Sequence, residues 1–497
     1  MNPAEVVSAE GVIPAVDRGP FVCAAREAGF AVICRTSVPA EKLKLFWRKI
    51  GDGEFSHAAE VSRSGGRDHV FKAAGVLPPP EELELRIVRE CDSRVLDRLP
   101  AAASTTDPYL FNPGETSISI GWKSRAECGG AAEFRLAGGS RSRRISDLVS
   151  GNLRVDTSHT VQLSGLRPGT RYEYRVLNLD PASGAILSKN GWNAFSTLKE
   201  GNESCRMVFL SDIHADAETF DHFITLVKAA TADFVVLAGD LCWDGVYEPA
   251  GKPFYEDFLN LAVSRFASRV PTVFMRGNHE WNGTFSFLWA KLFPGARGGT
   301  YGAFRAGNCC FIVLDTGPIG DFAPETPVGR YIAEQRAWLE NEVMKSAMFR
   351  GARFRIVLAH MPTHGIPNAP LLEKSFADLF NRGGIQLMIV GHVHRYMRID
   401  RNSDGCRGTD YYTIWSEKNP PRTAQDKNYT LVINGGGPDE NGRYATALEM
   451  RSSEDSLRIR VVDKEGRNVD EFRILPDGKV ENISPAPYFP FRGKFKK

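Results

Sequence analysis

The 497-residue chain lacks a membrane-spanning run, since no apolar stretch approaches the ~20 residues that a bilayer requires. It also lacks an excess of charge, with 62 basic against 60 acidic residues and a net charge of +2. Nothing in that balance advertises nucleic acid or an anionic membrane as a partner. The basic run Arg141 to Arg144 lies between Gly/Ser and "ISD" and reads as a solvated loop. Cysteine is sparse: nine residues are scattered from Cys23 to Cys406, without a C-x-x-C pair or a zinc spacing. Most read as buried free thiols, and they leave the redox compartment open. The opening "MNPAEVVSAEG" lacks the basic and apolar regions of a secretory signal, which suits a cytoplasmic protein or a processed, mature form. Length alone calls for two to four domains.

What is present falls into two grammars. Up to about residue 200, short alternating runs are separated by Gly, Pro, Asn and Ser, as in "SISIGW" (Ser117 to Trp122), "HTVQL" and "RYEYRVL". Such spacing predicts β-sandwiches. The stretch from His69 to Val88 echoes the stretch from His159 to Leu177, matching Gly75 to Gly165 and Pro78 to Pro168. The echo predicts two tandem sandwiches, 13–103 and 104–198, after a leader at 1–12. His69 and His159 lie inside strand-like runs and read as surface or packing residues.

From about residue 205, apolar strands alternate with helical patterns, which argues for an α/β domain with parallel strand pairs. In "ADAETFDHFITLVKAA", Phe220, Phe223, Ile224, Val227 and Ala230 share one helical face. Working residues in such folds gather at the carboxyl ends of strands. There "MVFLS" runs into Asp212-Ile213-His214, "FVVLA" into Gly239-Asp240, and "TVFMR" into Gly277-Asn278-His279-Glu280. "RIVLA" runs into His360, and "QLMIV" into Gly391-His392-Val393-His394. Five of the ten histidines stand at these ends.

Singly, each has an ordinary reading: Gly-Asp after a strand is a turn, and Asn-His is a loop. Together, in this order and each at a strand end, they read as a metal site, because buried polar groups need partners. Carboxylates and imidazoles without thiolates suit Zn, Mn or Fe. There are ligands enough for two ions sharing a carboxylate, about 3.5–4 Å apart.

This set resembles the calcineurin-like metallophosphoesterase superfamily over roughly residues 205–450. "QRAWLENEV" (Gln335 to Val343) looks like the family's post-strand helix, and "YTLVINGGGP" (Tyr429 to Pro438) like its late strand and Gly-rich turn. The sandwich just upstream, with "LRPGTRYEYRV" closing on "FSTL", resembles a fibronectin type III module and the amino-terminal domain of purple acid phosphatases. The resemblance implies a four-layer α-β-β-α catalytic domain at 199–480, followed by a tail at 481–497. It implies that Asp212, His214 and His394 hold a first metal, that Asn278, His360 and His392 hold a second, and that Asp240 bridges them. His279 would assist the leaving group, and Asn278 and His279 would face substrate. His364, in "HMPTHG" close to His360, reads either as a substrate contact or as a loop cap. Glu280 would orient His279 or bond another loop residue. The implied reaction is hydrolysis of a small phosphate monoester by a metal-bridging hydroxide. The sandwich modules imply a periplasmic or secreted life.

The sequence departs from the purple branch at two points. That branch reads Asp-x-Gly at the first motif and Gly-Asp-x-x-Tyr at the second, and its tyrosinate binds ferric iron. Here His214 replaces the glycine and Trp243 replaces the tyrosine. Indole is a donor only and cannot replace a phenolate ligand, whereas His214 can supply the missing one. Elsewhere, Asp315 reads as structural; Asp216, Trp281 and Asn282 read as pocket-shaping; His222 reads as a surface residue; and Arg422 is a candidate phosphate contact. The aromatic, basic end "YFPFRGKFKK" either wraps the domain or frays. Two other classes stay open: a phosphodiesterase using the same metals, and an inactive adhesion or binding protein. The sequence identifies neither the alcohol released nor the oligomeric state.

Overall fold

The structure, a computed structural model, describes residues 16–24, 29–40, 42–49, 53–55, 57–60, 66–74, 83–91, 94–95, 104–242, 258–281, 289–295, 299–320, 322–365, 370–409, 426–436 and 444–490. The leader at 1–12 and residues Gly75, Pro78, Trp243, Asn282 and Arg422 lie outside the described residues.

Residues 16–95 contribute two antiparallel sheets. One orders Val16–Ala24, Gly29–Ala40 and Gly66–Ala74; the other orders His57–Glu60, Leu43–Lys49, Leu83–Arg89 and Arg94–Val95. In the next module the run beginning "SISIGW" continues as one 20-residue strand, Ser117–Leu136. Its first half pairs with Ser104–Phe111 and Asp156–Ser164, and its second half with Arg143–Ser146 and Arg171–Leu179. Ile118, Ile120, Trp122, Phe134, Tyr174 and Val176 fill the space between. The Tyr172 hydroxyl accepts the Arg167 N–H at 2.9 Å, a tyrosine corner that pins the "LRPGTRY" turn. His69 and His159 are both buried, so they are packing rather than surface residues. His159 stacks on Trp122 with ring centroids 4.9 Å apart.

Three layer interfaces build the domain that follows. Arg206–Leu210, Phe234–Ala238 and Thr272–Met275 are parallel neighbours, and Thr446–Ser452 joins Arg206–Leu210 antiparallel. A second sheet runs parallel through Cys309–Val313, Phe354–Leu358, Leu387–Val390 and Thr430–Ile433. Strand side chains alternate between faces. Phe209, Val236, Phe311 and Ile356 therefore meet between the sheets. Val208, Val235 and Leu237 face the helix Ala217–Leu226 and the helical turns at 258–267 on one outer side. Cys310, Ile312 and Val357 face the helices Pro327–Trp338 and Pro370–Gly383 on the other. This is the α-β-β-α arrangement. Each such buried aliphatic or aromatic side chain contributes about 1.5–3 kcal/mol.

Two details differ from expectation. The first helix ends at Leu226, capped by Val227, because Lys228 adopts a left-handed φ of 50°. The turn that follows buries Ala229 and leaves Ala230 exposed. Of the tail expected at 481–497, the described residues 481–490 include sheet strands: Val480–Ser484 pairs with Asn468–Ile474, and Tyr488–Pro490 pairs with Gly405–Gly408.

Candidate metal centre

All five motif-bearing strands end on the same rim. The first sheet delivers Asp212, His214, Asp240 and Asn278; the second delivers His360, His392 and His394. Asp212, His214, Asp240 and His394 form one group whose ligand atoms all lie within 4.8 Å of one another, and Asp240, His360 and His392 form a second. Asp240 is common to both. Asn278 Oδ1 lies 3.0 Å from His360 Nε2 and 2.8 Å from His392 Nδ1, which places it with the second group.

The local backbone explains how carboxylates and imidazoles reach inward here. Asp212, His214, Asp240, His392 and His394 all adopt positive φ, between 50° and 75°. For residues other than glycine this is uncommon and costs on the order of 1 kcal/mol or more each, so the surroundings must enforce it. Neighbouring glycines supply the clearance. Gly239 has φ +85°, and a Cβ there would stand 2.6 Å from the Gly277 backbone; a Cβ on Gly277 would stand 2.3 Å from Asp240 Oδ1.

The residues present fit metal ions. His214 Nε2 and His394 Nε2 face each other at 3.1 Å. Two imidazole nitrogens bound to one ion at 2.0–2.1 Å stand about 3.0–3.4 Å apart. His360 Nδ1 lies 2.8 Å from the Ala238 carbonyl, which orients the ring and turns Nε2 toward Asp240 at 3.1 Å. Asp212 and Asp240 are fully buried, and among the described residues their partners are histidines and backbone N–H groups, with no lysine or arginine. Buried carboxylates of this kind call for cations.

Electrostatics run in opposite directions across the cluster. Burial opposes ionisation of Asp240, but His360 and the His279 N–H outweigh it and hold the carboxyl well below the usual range. Burial pushes His214 down to about 4 despite Asp212 and Asp240. His392 is likewise pushed down to about 4, by burial and then by His360. Burial also opposes charge on His360, yet Asp240 raises it to about 10.

Glu280 corrects one expectation. Its fully buried carboxylate does not orient His279; among the described residues it accepts backbone N–H groups from Asp240 (2.9 Å), Leu241 (2.8 Å), Cys242 (3.3 Å) and Gly277 (2.7 Å). It therefore ties the Asp240 turn to the Asn278 turn. His279 Nε2 lies 3.9 Å from Asp240 Oδ2, and its side chain is part-exposed. His364 is a second correction. It is wholly buried, bonded to Thr363 Oγ1 at 3.1 Å and packed edge-on against Tyr429, so it presents nothing to a substrate.

Asp315 is structural, as expected. It accepts the Trp281 indole N–H at 2.9 Å and pairs with Arg276 at 2.7 Å, bracketing Asn278-His279-Glu280 from both sides. Arg276, stacked 3.7 Å over the Trp281 ring, is the bracket member that sequence reasoning missed. An arginine after a strand carries no local signal of such a role. Asp216 caps the first helix through the Thr219 N–H rather than shaping a pocket. His222 is exposed on that helix.

A two-sheet α/β sandwich with two ligand groups sharing one carboxylate defines the class of dinuclear metal proteins. The calcineurin-like phosphoesterase family matches residues 205–396. Purple acid phosphatase 15 of Arabidopsis thaliana is 24% identical over 282 residues, covering 49% of this chain and 49% of that protein. Acid phosphatase type 7 of Mus musculus is 26% identical over 325 residues, covering 59% and 69% respectively. The chain thus spans about half the length of the plant relative. The purple acid phosphatase PPD1 from yellow lupin (Lupinus luteus) seeds shares the fold, with a TM-score of 0.55, 15% identity and coverage of 90% of this chain and 93% of that one. The chain is thus similar to calcineurin-like phosphoesterases over residues 205–396.

Proposed function

We propose that this protein hydrolyses phosphate monoesters at a dinuclear centre. Asp212, His214 and His394 would hold one ion, Asn278, His360 and His392 the other, and Asp240 both. The single observation that carries the reading is the pair of ligand groups meeting at Asp240. Bound there, the ions would supply Lewis acidity, neutralising phosphoryl charge and acidifying water enough to give hydroxide near neutral pH. Nitrogen and oxygen donors without thiolate suit Zn, Mn or Fe. The Asn278 amide adds a neutral oxygen. His279, part-exposed beside Asp240, is placed to give a proton to the leaving alkoxide. Glu280 and the Arg276–Asp315–Trp281 bracket keep the two turns in register, which matters because positioning carries much of the barrier reduction.

The acid phosphatase names of the relatives support a monoester substrate. With His214 in the first ligand group and Trp243 at the purple branch's tyrosine position, we assign no tyrosinate ligand. The sandwich boundaries 13–103 and 104–198 and the catalytic segment from 199 remain part of this proposal.

The test is hydrolysis of p-nitrophenyl phosphate against bis-p-nitrophenyl phosphate with Mn, Zn or Fe supplied. Preference for the monoester supports the proposal. Preference for the diester replaces it with a phosphodiesterase. No turnover at full metal content replaces it with a binding protein.

A further inference from the structure

We propose that Cys205 and Cys309 form a cross-linking pair that closes to a disulfide when the chain folds in an oxidising environment. The two residues begin facing strand systems at the end opposite the metal centre. Both side chains enter the layer between the sheets, whereas Cys242, Cys310 and Cys406 enter the outer layers. Facing sheets ordinarily stand about 10 Å apart, too far for a disulfide, whose Cα atoms lie roughly 4.4–6.8 Å apart.

Here the two chains converge. The Asn308 N–H donates to the Glu203 carbonyl at 3.1 Å and the Gly307 N–H to the Lys199 carbonyl at 2.8 Å. The approach is so close that a Cβ on Gly307 would stand 2.0 Å from the Glu203 oxygen. Cys205 is then fixed by Ser452, through its N–H to Ser452 Oγ at 2.9 Å and its carbonyl to the Ser452 N–H at 2.9 Å. The Ser452 hydroxyl lies 3.5 Å from Cys205 Sγ, and the Cys309 thiol donates to Asn308 Oδ1 at 3.3 Å, on the residue whose N–H reaches the Glu203 carbonyl.

Cys205 is 5% exposed and Cys309 0%, so an oxidant cannot reach them in the closed fold. Burial, and then the neighbouring Cys205 thiol, also raise the Cys309 thiol well above its ordinary range, which makes the native pair a poor nucleophile. Closure therefore belongs to folding. With glutathione disulfide as oxidant, one cysteine thiolate attacks a glutathione sulfur and releases one glutathione. The second cysteine then attacks the mixed disulfide and releases another. Two protons and two electrons pass from the cysteines to the glutathione disulfide.

The experiment refolds the full chain in a glutathione redox buffer, unfolds it in N-ethylmaleimide and maps its peptides without reduction. The expected result is one cross-linked peptide pair holding Cys205 and Cys309, 2 Da lighter than the sum of its parts. Reduction should lower the Tm of this refolded protein by on the order of 5 °C. A Cys309→Ala variant should show neither the cross-link nor the shift, and should leave Cys205 alkylated. Reduced native protein given the same buffer should stay uncross-linked. Full alkylation of both cysteines in correctly refolded protein, or a cross-link from Cys309 to any other cysteine, overturns the proposal. Phosphoesterase activity is not its readout, so it stands or falls separately from the proposed function.

Discussion

His214 Nε2 stands 3.1 Å from His394 Nε2, although the two residues are 180 positions apart and come from different sheets. Two aligned imidazole nitrogens at this spacing describe the edge of a metal coordination sphere. His214→Ala should lower bound metal from two ions per chain towards one and reduce monoester hydrolysis by at least 10²-fold. Elemental analysis alongside the rate is the check, and unchanged stoichiometry would remove His214 from the ligand set.

His279 makes the complementary case. Its backbone N–H steadies Asp240 at 2.9 Å, while its ring lies outside both ligand groups. His279→Ala should keep both metals and lower kcat by 10²–10⁴-fold. The loss should shrink for substrates with good leaving groups, which need no proton. Loss of metal on this substitution would sink the assignment.

Glu280 is predicted to act on structure. A carboxylate accepting backbone N–H groups on both oxygens cannot be matched by an amide, which turns one acceptor into a donor. Glu280→Gln should destabilise the fold by about 1–3 kcal/mol. Denaturant unfolding measures this, and metal affinity should fall alongside. A variant of wild-type stability with only a rate defect would restore a direct catalytic role.

His364 predicts an acid-side instability. Burial, and then Lys427, push its imidazole down to about 3, whereas an unfolded histidine titrates near 6.5. Between those values the unfolded chain holds a proton that the folded chain does not. Its stabilising contribution is therefore present above pH 6.5 and is lost as pH falls towards 3. His364→Gln should flatten the dependence of Tm on pH between about 6.5 and 4. Parallel curves for the two proteins would exclude His364 as the cause.

Iron loading tests the departure from the purple branch. Without a tyrosinate ligand, the iron-loaded protein should show no visible charge-transfer band. A purple colour would mean that a tyrosine outside the proposed set has entered the site.

The seven candidate ligands were legible because each follows an apolar strand, and a strand end carrying Asp, Asn or His in that order has a chemical meaning before any coordinates exist. The layer arrangement was legible for a related reason: Phe209 and Val208 are adjacent in sequence yet belong to different cores, as strand alternation demands. The roles of Glu280 and His364 were not legible. "GNHE" and "HMPTHG" show which polar groups are near the site in sequence, but not which way each turns, and partner choice depends on loops tens of residues away. Arg276 was silent for the same reason, since its partner Asp315 is 39 positions on. Sequence by itself determined the donor types, their order and the strands that present them, because these follow from local periodicity and side-chain chemistry. Only the tertiary structure decided that Asp240 belongs to both groups, that Glu280 clamps two turns, and that Cys205 meets Cys309. The first and last depend on how two separate sheets pack and the second on which strands pair within one sheet, and burial and pairing between distant segments leave no local signature.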